Sequence, residues 1–152
     1  MADNDNVIST LNNLIETCKD GQDGFRTAAE GVKNSDLKTL FHTYSQQRAQ
    51  FAGELQTEVR RLGGDPEKAG SVAATLHRGW INIKSTVTGQ DDAAIIAECE
   101  RGEDSAVRNY RDAINANLPA DVRAIVERQA QQVQEAHDRV RDLERTRGAS
   151  NS

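Results

Sequence analysis

The sequence predicts an all-α domain, a bundle of four long helices with a shorter helix crossing over between the second and the third. Three observations carry this. Apolar residues recur in steps of three and four along almost the whole chain. Its two prolines, Pro66 and Pro119, stand just after expected helix stops, where proline helps to start the next helix. Apolar residues make up 36% and aromatics 4% of the chain, so the core must be aliphatic and alanine-rich, while 28% charged residues suit helices with one dry stripe and a wide wet face. At 152 residues the chain fits one domain over 1–152, with an ordered core expected over about 5–146 and a frayed C-terminal tail.

The first helix is expected from about Asp5 to Gly31. Its stripe is Val7, Leu11, Leu14 and Cys18, then Phe25, Ala28 and Val32, with steps that share one face. Asn34-Ser35-Asp36 supplies turn and N-cap chemistry. The second helix then runs to about Leu62 on Leu37, Leu40, Phe41, Tyr44, Phe51, Leu55, Val59 and Leu62. Gly63-Gly64-Asp65-Pro66 stops it, because glycine takes the left-handed cap conformation freely. The tight turn at Asn34-Ser35-Asp36 makes the first two helices an antiparallel hairpin.

Ser71 to Val87 reads as the crossover helix, with stripe Val72, Leu76, Trp80, Ile83 and Val87. At ~1.5 Å per residue it spans about 25 Å, enough with its loops to carry the chain along most of a bundle. Thr88-Gly89 breaks it. The next helix, about Asp92 to Asn117, buries Ile95, Ile96, Cys99, Ala106, Tyr110 and Ile114. Asn117-Leu118-Pro119 turns the chain into a second hairpin, whose last helix runs to about Arg147 with Val122, Val126, Val133, Val140 and Leu143 inward. Gly148 to Ser152 is expected to fray. Ile15, Ile96 and Val107 flank the stripes, and either widen the core or form a dimer surface.

The stripes turn polar at similar heights. Between Tyr44 and Phe51 the inward position is Arg48; between Cys99 and Ala106 it is Gly102 and Glu103. The last helix offers Gln129 and, beside Ala136, His137; the first has Gly21 on its stripe and Glu16 and Asp20 near it. An isolated buried ion is too costly, so a charge at such a place must be paired. Arg48 with Glu103 or Glu100 is the expected pair. The expectation is a structural polar layer of Arg48, Glu100, Glu103, Gln129 and His137 that fixes helix register.

Composition bounds the function classes. A net charge of −5 with no basic tail disfavours nucleic acid, whose binding rests on cationic contacts to phosphate. Arg60-Arg61 reads as a solvated helix end. The opening Met1-Ala2-Asp3-Asn4-Asp5 does not read as a targeting signal, and no apolar stretch approaches the ~18 residues of a membrane span, so a cytoplasmic location and no membrane partner are expected. Cys18 and Cys99 fall on helix stripes and read as small core residues rather than a disulfide or zinc site. There is no phosphate-cradling glycine loop and no nucleophile with an evident base. His77 beside Trp80 reads as packing of the crossover.

Several stretches together resemble a known family. They are Arg48 through Leu55 leading to Leu62-Gly63-Gly64-Asp65-Pro66; Leu76-His77-Arg78-Gly79-Trp80; Glu98-Cys99-Glu100-Arg101-Gly102-Glu103-Asp104 followed by Tyr110; Leu118-Pro119; and Ala136-His137-Asp138. Over about residues 5–146 the chain resembles the bacterial family of small, uncharacterised ferritin-like four-helix-bundle proteins, a domain of unknown function. The resemblance implies a bacterial cytoplasmic protein, with association with stress as a further expectation.

Ferritin-like oxidases build a di-iron centre from a Glu on each of two helices and a Glu-x-x-His on each of the other two. Carried onto this chain, Glu16 stands for the first-helix ligand and Glu100 or Glu103 for the third. The last helix reads Gln134-Glu135-Ala136-His137, keeping His but not Glu; the second reads Gln50-Phe51-Ala52-Gly53, with both ligands gone. The expectation is therefore no cofactor and no catalysis, with function carried by self-association or a protein partner. The alternative is a degenerate iron or manganese site using Glu16, Glu100, Glu103 and His137.

Overall fold

The computed structural model describes residues 2–67, 80–89 and 91–150. Its helices are α1 (Ala2–Gly31), α2 (Ser35–Arg61), α3 (Ile83–Thr88), α4 (Asp92–Asn115) and α5 (Ala120–Ser150). α1 packs most extensively on α2, α4 on α5, and α1 on α4, whereas α2 and α5 meet only sparsely. The result is the expected four-helix bundle of two antiparallel hairpins.

Local chemistry sets the turns. Asn34 caps α2 by accepting from the Leu37 N–H at 3.0 Å. The Asp92 carboxylate accepts from the Lys33 and Asn34 N–H groups at 2.8 and 3.1 Å, which ties the first turn of α4 to the α1–α2 turn. At the far end of α2, Gly63 has φ of 87°, and the Gly63 and Gly64 N–H groups reach back to the Arg60 and Val59 carbonyls. This is the Schellman closure that satisfies the last helical carbonyls. Arg123 does the same for α4, donating to the carbonyls of Ile114 and Ala116 at 2.8 and 3.1 Å.

Two expectations on element bounds change. α5 is helical through Ser150, past the expected end near Arg147. The crossover is not one helix through Trp80 to Val87. Trp80–Asn82 form a turn and α3 begins only at Ile83. The Asn82 N–H is taken by the Glu98 carboxylate at 2.9 Å, so it is not part of a helical ladder. Val72, Leu76 and His77, and with them the start of the crossover from Ser71, lie outside the described residues, as do Asn151 and Ser152.

Trp80 docks the crossover. A Cβ on Gly24 would stand 2.3 Å from the indole, and one on Gly102 2.1 Å, so α1 and α4 each present a bare backbone to the ring. Its edge meets Phe25 at a centroid distance of 5.1 Å. Ile15 and Ile96 are fully buried, so they widen the core instead of forming a dimer surface; Val107 is partly buried against it.

The core is divided. One apolar cluster contains Val7, Leu11, Leu14 and Cys18 of α1, Phe51 and Leu55 of α2, Ala106 and Tyr110 of α4, and Val126 and Val133 of α5. The other contains Phe25, Ala28, Phe41, Ile95, Ile96, Cys99 and Val140. Every long helix passes from one cluster to the other, and Arg48 and Glu103 lie at the changeover.

Candidate functional site

At the changeover, Arg48 of α2 and Glu103 of α4 form a forked ion pair. Nη2 donates to Oε1 at 2.6 Å and Nη1 to Oε2 at 3.1 Å. Their side chains are 2% and 0% exposed. Burial alone would make such charges untenable, so the site is built to hold them. Gly21 on α1 makes room: a Cβ there would touch Arg48 Cγ and Nη1 at 3.3 Å. The guanidinium lies 5.4 Å from the Phe25 ring centroid, a cation–π distance, and its Nε donates to Gln47 at 3.3 Å. Burial pushes the Glu103 carboxyl up and the Arg48 charge opposes that push. Burial likewise works against the Arg48 charge, but Glu103 beside it outweighs burial and holds the guanidinium above its ordinary value.

Gln129 belongs to a second buried network. Its amide donates to the Phe51 carbonyl at 3.3 Å and to Glu54 at 2.8 Å, so its oxygen faces Tyr110, whose hydroxyl donates to it at 2.7 Å. Tyr110 has one proton to give, so the Cys18 thiol 3.1 Å away must donate to the tyrosine oxygen. Burial pushes the Cys18 thiol up to about 11. Burial also pushes Cys99 and Tyr110 well above their ordinary values. Both cysteines are free and buried, and neither is a nucleophile at neutral pH.

The remaining sequence-selected residues sit elsewhere. His137 lies at the α4/α5 seam, 9% exposed, with Nε2 2.5 Å from an Asp104 oxygen and Nδ1 3.3 Å from Asp138. Glu100, one turn before Asp104, points to the same place. One ligand atom from each of Glu100, Asp104 and His137 lies within 4.8 Å of the other two, the single such acid–imidazole group among the described residues. Glu16, half-buried on α1, is not part of it. Asp104 and Asp138 were not singled out from sequence; the signal available was the four-residue step from Glu100 to Asp104, which repeats one helix face. Glu98 was also missed. It is fully buried, and its carboxylate takes the Asn82 N–H of the crossover and two N–H groups of Arg101.

The donor set at mid-bundle does not fit a bridged di-metal centre. Two divalent ions need several anionic ligands, yet Glu103, the fully buried carboxylate at the changeover, is already neutralised by a guanidinium. A fixed cation in that layer repels metal ions.

Among solved structures, the chain is similar to a two-domain protein from Anabaena variabilis containing DJ-1/ThiJ/PfpI-like and ferritin-like domains, with a TM-score of 0.77 and 19% identity. The match covers 95% of this chain and 40% of that one, which shows the ferritin-like fold. No curated protein matches the chain. No helix among the described residues is long and apolar enough to cross a membrane. A family model described as a domain of unknown function, DUF2383, matches residues 6–116, and with that match and this fold the chain belongs to the DUF2383 family of ferritin-like bundles.

Proposed function

We propose that this ferritin-like bundle is not an enzyme and acts in the cytoplasm through its surface, by associating with a second copy or with another protein. The Arg48–Glu103 pair is the observation that carries this reading. The layer where ferritin-like oxidases gather carboxylates for redox metals is closed here by a buried interior ion pair. The buried, protonated thiols support it too, since neither provides a nucleophile. The Anabaena protein carries a ferritin-like domain beside a second domain, which supports a role for this fold as an associating module.

The test is oxygen-dependent Fe²⁺ oxidation, together with sedimentation over a concentration series. The expected rate of oxidation is that of buffer alone. Saturable turnover abolished by Glu103→Gln would overturn the reading. The sedimentation series separates its two arms: mass that rises with concentration assigns the surface to a second copy, and a constant monomer mass assigns it to a different protein.

A further inference from the structure

Outside the four-helix centre, the α4/α5 seam assembles a donor set that the interior lacks. We propose that Glu100, Asp104 and His137 form a single-ion site for a divalent transition cation, separate from the mid-bundle layer that Arg48 occupies.

Three features argue for it. Glu100 and Asp104 are one turn apart on α4, so their carboxylates emerge on one face, opposite His137 on α5. The imidazole forms the inner wall, while the Asp104 side chain is 46% exposed, so an ion has both a rigid anchor and an entry path. The imidazole is also held from behind. Its Nδ1 faces Asp138, whose carboxylate is itself held by Gln134 Nε2 at 2.9 Å and lies 3.5 Å from Arg141. A carboxylate on the far nitrogen is the arrangement that fixes the tautomer and orientation of metal-binding histidines.

The chemistry selects the ion. Two carboxylates neutralise one divalent cation and not two. An imidazole with two carboxylates suits zinc or manganese, with zinc the tighter, and suits magnesium poorly. Ligand bonds of about 2.0–2.2 Å place neighbouring donors roughly 3.3–3.6 Å apart in a tetrahedral shell. The 2.5 Å gap between His137 and Asp104 must therefore widen, and the exposed aspartate is the side that swings. Glu103 cannot join, because both of its oxygens are held by Arg48.

The experiment uses the untagged full chain, stripped with chelator. Zn²⁺ is titrated by calorimetry, and Mn²⁺ is followed by loss of its free-ion paramagnetic signal. One ion per chain is expected. His137 is buried, so Asp104→Asn is the variant that tests the site without disturbing the core, with circular dichroism to confirm its fold. It should weaken Zn²⁺ more than about 100-fold, and Asp138→Asn about 10-fold, since partners behind the ligands contribute about 10–100-fold. Glu16→Gln should bind as the wild type does. Absence of saturable Zn²⁺ and Mn²⁺ binding, or binding unchanged in Asp104→Asn, would overturn the proposal.

Discussion

Glu103 and Asp104 are neighbours in sequence with opposite surroundings. Glu103 is sealed between two apolar clusters, with both oxygens forked by Arg48. Asp104 is half in water and meets an imidazole. One residue is a rotation of about 100° around the helix, which suffices to move a carboxylate from the interior to the seam. The comparison teaches that an ion pair takes its worth from its surroundings. The buried pair is costly to assemble and more costly to break, whereas the half-exposed pair contributes little to stability and remains available to a ligand.

The largest effect should come from breaking the interior pair. Arg48→Ala is expected to destabilise by about 2–4 kcal/mol in urea unfolding, because it leaves Glu103 buried and unpaired. Replacing both partners at once, Arg48→Met with Glu103→Leu, should recover most of that loss. A midpoint for Arg48→Ala equal to wild type would show that water reaches the layer.

Next comes the buried thiol. With Cys18 raised from 9.0 to about 11, the folded state keeps its proton where the unfolded chain loses it. The contribution is complete below 9.0 and is lost as pH rises towards 11, on the order of 2–3 kcal/mol in all. Cys18→Ala should flatten that part of the stability profile. An unchanged slope would mean that the interior around Tyr110 is wetter than its burial implies.

On the seam, Asp104→Ala should cost only about 0–1 kcal/mol in the absence of metal, as exposed pairs do. A loss as large as that of Arg48→Ala would erase the distinction between the two regions. The smallest effect belongs to Asp138, half-exposed and lowered by hydrogen bonds from Gln134 first and His137 second. A lowered carboxyl stabilises the fold above its unfolded value and loses that contribution as pH falls. Thermal melts of wild type and Asp138→Asn should therefore differ by well under about 1 kcal/mol at neutral pH and converge as acid protonates the carboxylate.

Much of this was legible in the sequence. The hairpins follow from helical periodicity and from Asn34, Gly63-Gly64 and Pro119, because turns need particular residues. Arg48 and Glu103 were legible as charges interrupting apolar stripes, although the choice of Glu103 over Glu100 required the axial offset between α2 and α4, which periodicity does not contain. Asp104 was illegible for the same reason: its partner His137 lies 33 residues away on another helix. The crossover was the least legible element. Its course between Trp80 and Asn82 is set by Glu98 and two glycines of other helices, not by its own pattern.

Those two glycines couple three distant positions. Gly24, Gly102 and Trp80 form one fitted joint, so a chain that drifts to alanine at either glycine must shrink its tryptophan, and one that loses the tryptophan frees both glycines at once. Within the family the three should therefore change in concert, as a historical record of contact that any sufficiently deep set of relatives would preserve. A relative with a bulky residue at all three places would have had to route its crossover along a different groove.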